Sequence, residues 1–250
     1  MLLINNTNIN PYFNLAMEEY FLKNAKEDIF LLWQNENAII VGKNQNTLSE
    51  INYDYVKNNN IKVVRRQSGG GAVFHDLGNI NFTFISYNDN SFSDFKKFTM
   101  PIVAALKELN INAEFSGRND LLIDNQKFSG NAQYNYKNNV MHHGTLLFSS
   151  KINDLSAALK VKPSKFEGKG VKSVKSRVTN ISNHLGKEMS VVEFKDYLLN
   201  FINKRDENSH FYELTQEDIE NINKLVKDKY ETWEWNFGNS PKYSLNNELK

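Results

Sequence analysis

The 250-residue chain predicts an α+β fold, with mixed and antiparallel sheets and flanking helices. Two observations lead there. Short apolar runs separated by polar turns dominate the first half, and helical patterns are interspersed without regular strand–helix alternation. A doubly wound parallel sheet would need that alternation. A third observation bears on organisation: no internal repeat and no low-complexity linker interrupts the chain, so it reads as a single domain.

Asn10-Pro11 is an N-cap followed by proline at the first helical position. Phe13, Ala16, Met17, Tyr20 and Phe21 then recur at helical spacing. Phe30 to Trp33 and Ala38 to Val41 flank the polar turn Gln34–Asn37 and predict a strand pair. Tyr53 to Asn59 predicts a short helix, and Ile61 to Arg65 a strand. Ile80 to Ser86 alternates in character and predicts a further strand. Phe95 to Leu109 is helical, with Phe98, Ile102, Ala105, Leu106 and Leu109 along one face. Leu121–Ile123 and Lys127–Ser129 predict a hairpin, and Thr145–Phe148 a strand. Helices follow near 191–203 and 215–230, the second opened by a Thr215/Asp218 capping pattern.

Composition excludes several functions. Thirty Lys and Arg against 29 Asp and Glu give a net charge of +1, without the basic excess of a general nucleic-acid binder. There is no cysteine, hence no disulfide, thiolate metal site or cysteine nucleophile. The N-terminus is too polar for a signal peptide, and no apolar run reaches membrane-spanning length. The expected setting is cytoplasmic, with no membrane or nucleic-acid partner.

Three constellations could carry chemistry. In VVRRQSGGGAVFH (63–75), three glycines follow Arg65, Arg66 and Ser68. Such a run is costly to order and packs nothing, so it suits unusual backbone angles or a very close approach. Read alone, it is either a glycine-rich hairpin or a backbone cradle over an anion, with an arginine fork beside it. It is neither a phosphate loop of the Gly-Lys-Ser/Thr type nor a dinucleotide fingerprint. Second, Asn119 and Asp120 precede a strand, with Lys127 across the turn. Taken singly these read as turn and solvated residues. The small pair Ser129-Gly130 leaves room for a ligand, and Lys127 suits a phosphate or developing oxyanion. Third, His142 and His143 are adjacent on a strand, so they point to opposite faces and chelate poorly. One lining a pocket and the other solvated or structural is the expectation. Residues 160–177 carry six lysines and one arginine against a single acid and predict a mobile basic loop.

These segments, in this order, resemble the lipoate–protein ligase A family. The stretches that carry the resemblance are RRQSGGGAVFHDLGNINFTF (65–84), GRNDLLIDNQKFSGNAQ (117–133), HHGTLLF (142–148), KGVKSVKSRVTNI (169–181) and WEWNFG (233–238). NPYFNLAMEEYFL and WQNENAIIVGKNQN near the N-terminus also fit. The resemblance implies the catalytic fold shared with biotin ligases and, distantly, class II aminoacyl-tRNA synthetases. It implies activation of lipoate by ATP, with Mg²⁺, to lipoyl-AMP. Transfer then follows to a lysine of a lipoyl domain, in 2-oxoacid dehydrogenase complexes or the glycine cleavage H protein. It places Arg66 at the ligand's anionic end and Ser68, Gly69, Gly70, Gly71, Ala72, Val73 and Phe74 over the ligand. Lys127 falls at the activated carbonyl, and Asn119 and Asp120 near nucleotide and Mg²⁺. Gly130, Ala132, His143 and Thr145 fall in the pocket, and the 165–177 segment over the adenylate.

The resemblance also implies one catalytic domain over 1–250, with the family's C-terminal accessory domain absent or truncated. The alternatives it leaves are a lipoyltransferase using preformed lipoyl-AMP and a ligase needing a separate accessory subunit. The related protein-to-protein acyl transferases use a cysteine, which this chain lacks. A biotin ligase fits the Arg-Arg-x-Ser-Gly-Gly-Gly and Asn-Asp-Leu stretches less well. A non-catalytic binder of lipoyl domains would not need Lys127.

Overall fold

The structure is a computed structural model. It describes residues 1–89, 91–117, 119–151, 158–159 and 178–241, and the backbone alone at 166–167 and 244–245. The strands are β1 (Leu2–Asn5), β2 (Ile29–Trp33), β3 (Ala38–Val41), β4 (Lys62–Arg65), β5 (Ala72–His75) and β6 (Asn79–Ser86). They continue as β7 (Ala113–Ser116), β8 (Asp120–Ile123), β9 (Gln126–Tyr136), β10 (Asn139–Leu147), β11 (Phe166–Glu167), β12 (His210–Phe211) and β13 (Ser244–Leu245). An eight-stranded sheet runs β12-β1-β2-β6-β10-β9-β8-β7, and a three-stranded sheet runs β4-β3-β5. β11 pairs with β13. Parallel pairs (β1 with β2, β3 with β4) mix with antiparallel ones, as the irregular strand–helix order predicts.

The helices start where local chemistry satisfies their first N–H groups. For α1 (Pro11–Asn24), the Asn10 side chain accepts from the Tyr12 amide. Two short helices, α2 (Thr47–Glu50) and α3 (Tyr53–Asn58), follow. Asp94 caps α4 (Phe95–Glu108). Capping boxes open α5 (Val191–Asn203) at Ser190/Glu193 and α6 (Gln216–Leu225) at Thr215/Asp218. α6 runs on into a π-helical turn over Val226–Tyr230.

One expectation is corrected. β2 and β3 do not pair with each other: β2 lies between β1 and β6, and β3 between β4 and β5. Every residue of both strands is buried. Each is an interior strand of its own sheet, so the polar turn between them carries the chain across layers.

That crossing sets the architecture. One face of the large sheet packs Phe30, Leu32, Ile80 and Phe82 against α4 and α5. The opposite face packs Ile29, Leu31, Ile85 and Met141 against α1 and the small sheet's Ala38, Ile40 and Val64. The small sheet's outer face, with Ile39, Val41, Ala72 and Phe74, is covered by Ile51 and Val56. Alternation along β6 and β10 puts Asn79, Asn81, Thr83, His143 and Thr145 on the face toward the small sheet. A polar strip therefore lies between two apolar layers, which is where a site can be built.

Candidate active site

The glycine stretch joins β4 to β5 and is held by its carbonyls. The Ser68 carbonyl accepts from the Lys43 amide at 2.9 Å, and the Gly71 carbonyl from the Gly42 amide at 3.1 Å. The Gly69 carbonyl accepts from Arg66 Nη2 at 2.7 Å. The Gly70 carbonyl lies against Gly42, within 2.0 Å of where a Cβ would stand on that residue. In a planar trans peptide the N–H points opposite to the C=O. The amides of Gly69, Gly70 and Gly71 are therefore turned away from the protein body. None has a hydrogen-bond partner among the described residues. Successive outward amides form an anion-binding concavity. Gly70 has φ +108°, a conformation that needs glycine.

The two arginines diverge, as adjacent residues leaving a strand must. Arg65 is fully buried with no carboxylate partner among the described residues. Its guanidinium donates to the carbonyls of Gly42, Lys43, Gln45, Trp235 and Asn236 and to the hydroxyls of Thr47 and Ser240. It ties the turn beneath the glycine loop to the WEWNFG segment. Arg66 donates to Ile40 O at 3.0 Å, Ser68 Oγ at 3.0 Å and Gly69 O. Burial pulls its pKa down to about 10, so it stays charged at neutral pH. Its charge sits directly beneath the loop amides.

Ser68 opens a buried hydrogen-bond chain. Its Oγ meets His143 Nε2 at 2.6 Å. His143 Nδ1 meets Glu18 Oε1 at 2.9 Å. Thr83 Oγ1 donates to Glu18 Oε1 at 2.5 Å, and Trp33 Nε1 donates to Thr83 Oγ1 at 3.0 Å. His142 faces the other way. It stacks on Phe98 and Phe82 and bonds Gln133 and Asn131. Burial pulls its pKa down to about 3, so it is a neutral core residue.

The strip continues along β10 to Thr145, whose Oγ1 accepts from the Gly130 amide at 3.2 Å. Gly130 stands opposite Asp120 in the β8–β9 ladder, and Ala132 opposite His143. Lys127 Nζ pairs with Asp120 Oδ1 at 2.8 Å and is about one-third exposed. A register shift at Leu121/Leu122 accommodates it. The Thr179 amide donates to the Lys127 carbonyl, so Thr179 lies beside Lys127. Apart from the backbone of β11, the basic segment lies outside the described residues, as does Arg118.

Arg66, Ser68, the three glycines, Ala132, His143, Thr145, Gly130, Asp120 and Lys127 thus form one continuous track. Three expected members stand differently. Val73 faces the interlayer space, while the side chains of Ala72 and Phe74 pack on the small sheet's outer face. Asn119 clips β9 instead of facing outward alone: its Nδ2 donates to Asn131 O, and its own carbonyl accepts from the Asn131 amide. Sequence reasoning missed Glu18, Thr83, Trp33 and His75. His75 is buried, with Nδ1 against Asn35 and its pKa pulled to about 3 by burial and by Arg66 and His143. A signal for Glu18 existed: Glu18 and Glu19 stand between Leu15-Ala16-Met17 and Tyr20-Phe21-Leu22 of α1, and both are buried.

The fold is thus a mixed-sheet α+β layer structure with an outward-amide concavity and an Asp120-paired lysine on one track. The lipoyl protein ligase A/B catalytic domain model matches residues 10–203, and the chain belongs to that family. It is 50% identical over 256 residues to lipoate-protein ligase LplJ of Bacillus subtilis, covering 100% of this chain and 77% of that one. The bi-partite lipoate protein ligase of Thermoplasma acidophilum superposes with TM-score 0.80 at 27% identity, covering 96% of this chain and 97% of that chain. A lipoate-protein ligase A bound with ATP superposes with TM-score 0.78 at 26% identity, covering 95% and 98%.

Proposed function

We propose that this chain is an ATP-dependent lipoate–protein ligase working along the track from the glycine loop to Lys127. Lipoate's carboxylate attacks the α-phosphorus of ATP. A carboxylate–phosphorus bond forms and pyrophosphate leaves. The ε-amine of an acceptor lysine then attacks the acyl carbon, and AMP leaves. The observation that carries the reading is the cradle: three outward glycine amides above buried Arg66, continuous with Lys127 along β10. Step one brings two anions together, and preorganised donors and positive charge offset that repulsion.

Gly69–Gly71 amides take phosphate oxygens. Arg66 supplies charge from below and fixes the loop. Lys127 lies at the developing charge on the acyl carbonyl and phosphate, with Asp120 holding its ammonium. Mg²⁺ arriving with ATP would take Asp120 as a single protein carboxylate, the rest of its shell coming from phosphate oxygens and water. At pH 7 an acceptor lysine with a pKa of about 10.4 needs about 4.6 kcal/mol to lose its proton, at about 1.36 kcal/mol per unit. A cationic site next to it lowers that cost. The acceptors are lipoyl domains of 2-oxoacid dehydrogenase complexes or the H protein.

The test is mass analysis of an apo lipoyl domain incubated with the chain under two conditions. One contains lipoate with ATP–Mg²⁺, the other preformed lipoyl-AMP. Modification under both supports the reading; modification under neither overturns it. A second reading, activation only with a separate accessory subunit, is favoured by the match to 97% of one chain of a ligase described as bi-partite. Modification by lipoyl-AMP alone would select it.

A further inference from the structure

The donors and acceptors at its two ends set the polarity of the buried chain from Trp33 to Arg66 when His143 is a neutral imidazole. Trp33 Nε1 only donates, so Thr83 Oγ1 accepts from it and turns its own proton to Glu18. The Glu18 carboxylate only accepts, so His143 Nδ1 must carry the proton it shares with Glu18. A neutral imidazole then has a bare Nε2, and Ser68 must donate to it. That leaves a Ser68 lone pair for Arg66 Nε, which only donates. With Nε engaged, the guanidinium plane is fixed, and Nη2 holds the Gly69 carbonyl inward. Glu18 is the sink on which both halves of the chain converge, and it is only 2% exposed.

We propose that Glu18 is a positioning residue for adenylation: by fixing His143 in the Nδ1–H form it orients Ser68 and Arg66 and keeps the glycine amides outward. The proposal rests on the ligase reading for its kinetic consequence, but its structural core stands apart from that reading. Nothing in it requires Glu18 or His143 to touch the reacting atoms.

The experiment is two-bond ¹H–¹⁵N correlation of the full chain labelled at its five histidines. The His143 signal is assigned by its loss in His143→Asn. The wild type should show Nδ1 protonated and Nε2 bare. An Nε2–H wild type overturns the proposal whatever the ligase assay gives. Glu18→Gln keeps an acceptor for Nδ1–H and should retain both the tautomer and adenylation within about threefold. Glu18→Ala should populate the Nε2–H form and lower the adenylation kcat by about 10- to 100-fold, the range seen when an orienting partner is lost. A merely structural role would lower Tm without moving the tautomer. Wild-type kcat in Glu18→Ala, or loss in Glu18→Gln equal to that in Glu18→Ala, also overturns the proposal. If Glu18→Ala does not fold, the wild-type spectrum and Glu18→Gln decide the matter.

Discussion

Gly42→Ala perturbs the cradle from behind, at a residue that does not itself line the outward face of the loop. The Cβ it introduces would stand 2.0 Å from the Gly70 carbonyl oxygen and 2.8 Å from its carbon. Real Cβ contacts essentially never fall under 3.0 Å, so the carbonyl must retreat by about 1 Å. The loop cannot yield freely, because the Gly42 and Lys43 amides bind the carbonyls of Gly71 and Ser68. The displacement is therefore passed to the outward amides. Misplacement of about 1 Å in a positioning element costs about 10²-fold in rate. That corresponds to about 2.7 kcal/mol at about 1.36 kcal/mol per tenfold. Overpacking should also lower stability by about 1–3 kcal/mol. The assay is lipoate-dependent ATP–pyrophosphate exchange, with urea unfolding in parallel. A folded variant exchanging within threefold of wild type would refute the claim that these amides serve activation.

Lys127→Ala should lower transfer from preformed lipoyl-AMP by about 10²- to 10³-fold, as for loss of an oxyanion donor. Its partly exposed position should leave the unfolding midpoint nearly unchanged; wild-type transfer would remove Lys127 from the site. Arg65→Lys offers three N–H donors where the guanidinium shares five among seven acceptors, so two charged donors are lost. At roughly 2 kcal/mol for each charged donor the loss is about 4 kcal/mol, and urea unfolding showing under 1 kcal/mol would contradict the cage. Glu19 gives a pH prediction. Burial alone would raise its pKa, but hydrogen bonds from Lys229, Lys23 and Tyr230 outweigh that and hold it at about 2. Its stabilisation should be complete above about pH 4.5 and fade as pH falls toward 2. The stability gap between wild type and Glu19→Gln, followed by urea unfolding, should close over that window; a gap independent of pH would count against it.

The chain by itself determined the local patterns from which the candidate site is built. Three glycines after a strand, a lysine across a tight turn and two adjacent histidines are local patterns. Strand parity alone sends His142 and His143 to opposite faces, as the core position of His142 shows. Capping at Asn10 and Thr215 was equally legible, because a cap is settled within a few residues. What local pattern could not decide is which partner each polar group finds. Nothing near Arg65 and Arg66 says that one cages the tail segment, 170 positions away, while the other holds the glycine loop. Nothing near β2 and β3 says that they join different sheets, since two short buried apolar runs fit either arrangement. The Ser68–His143 and Glu18–His143 contacts close loops of 75 and 125 positions. Such hydrogen bonds exist only once packing has brought the layers together and excluded water. The glycine triplet was therefore readable as a hairpin or a cradle, and the direction its amides face was settled by the carbonyl anchors that distant elements supply.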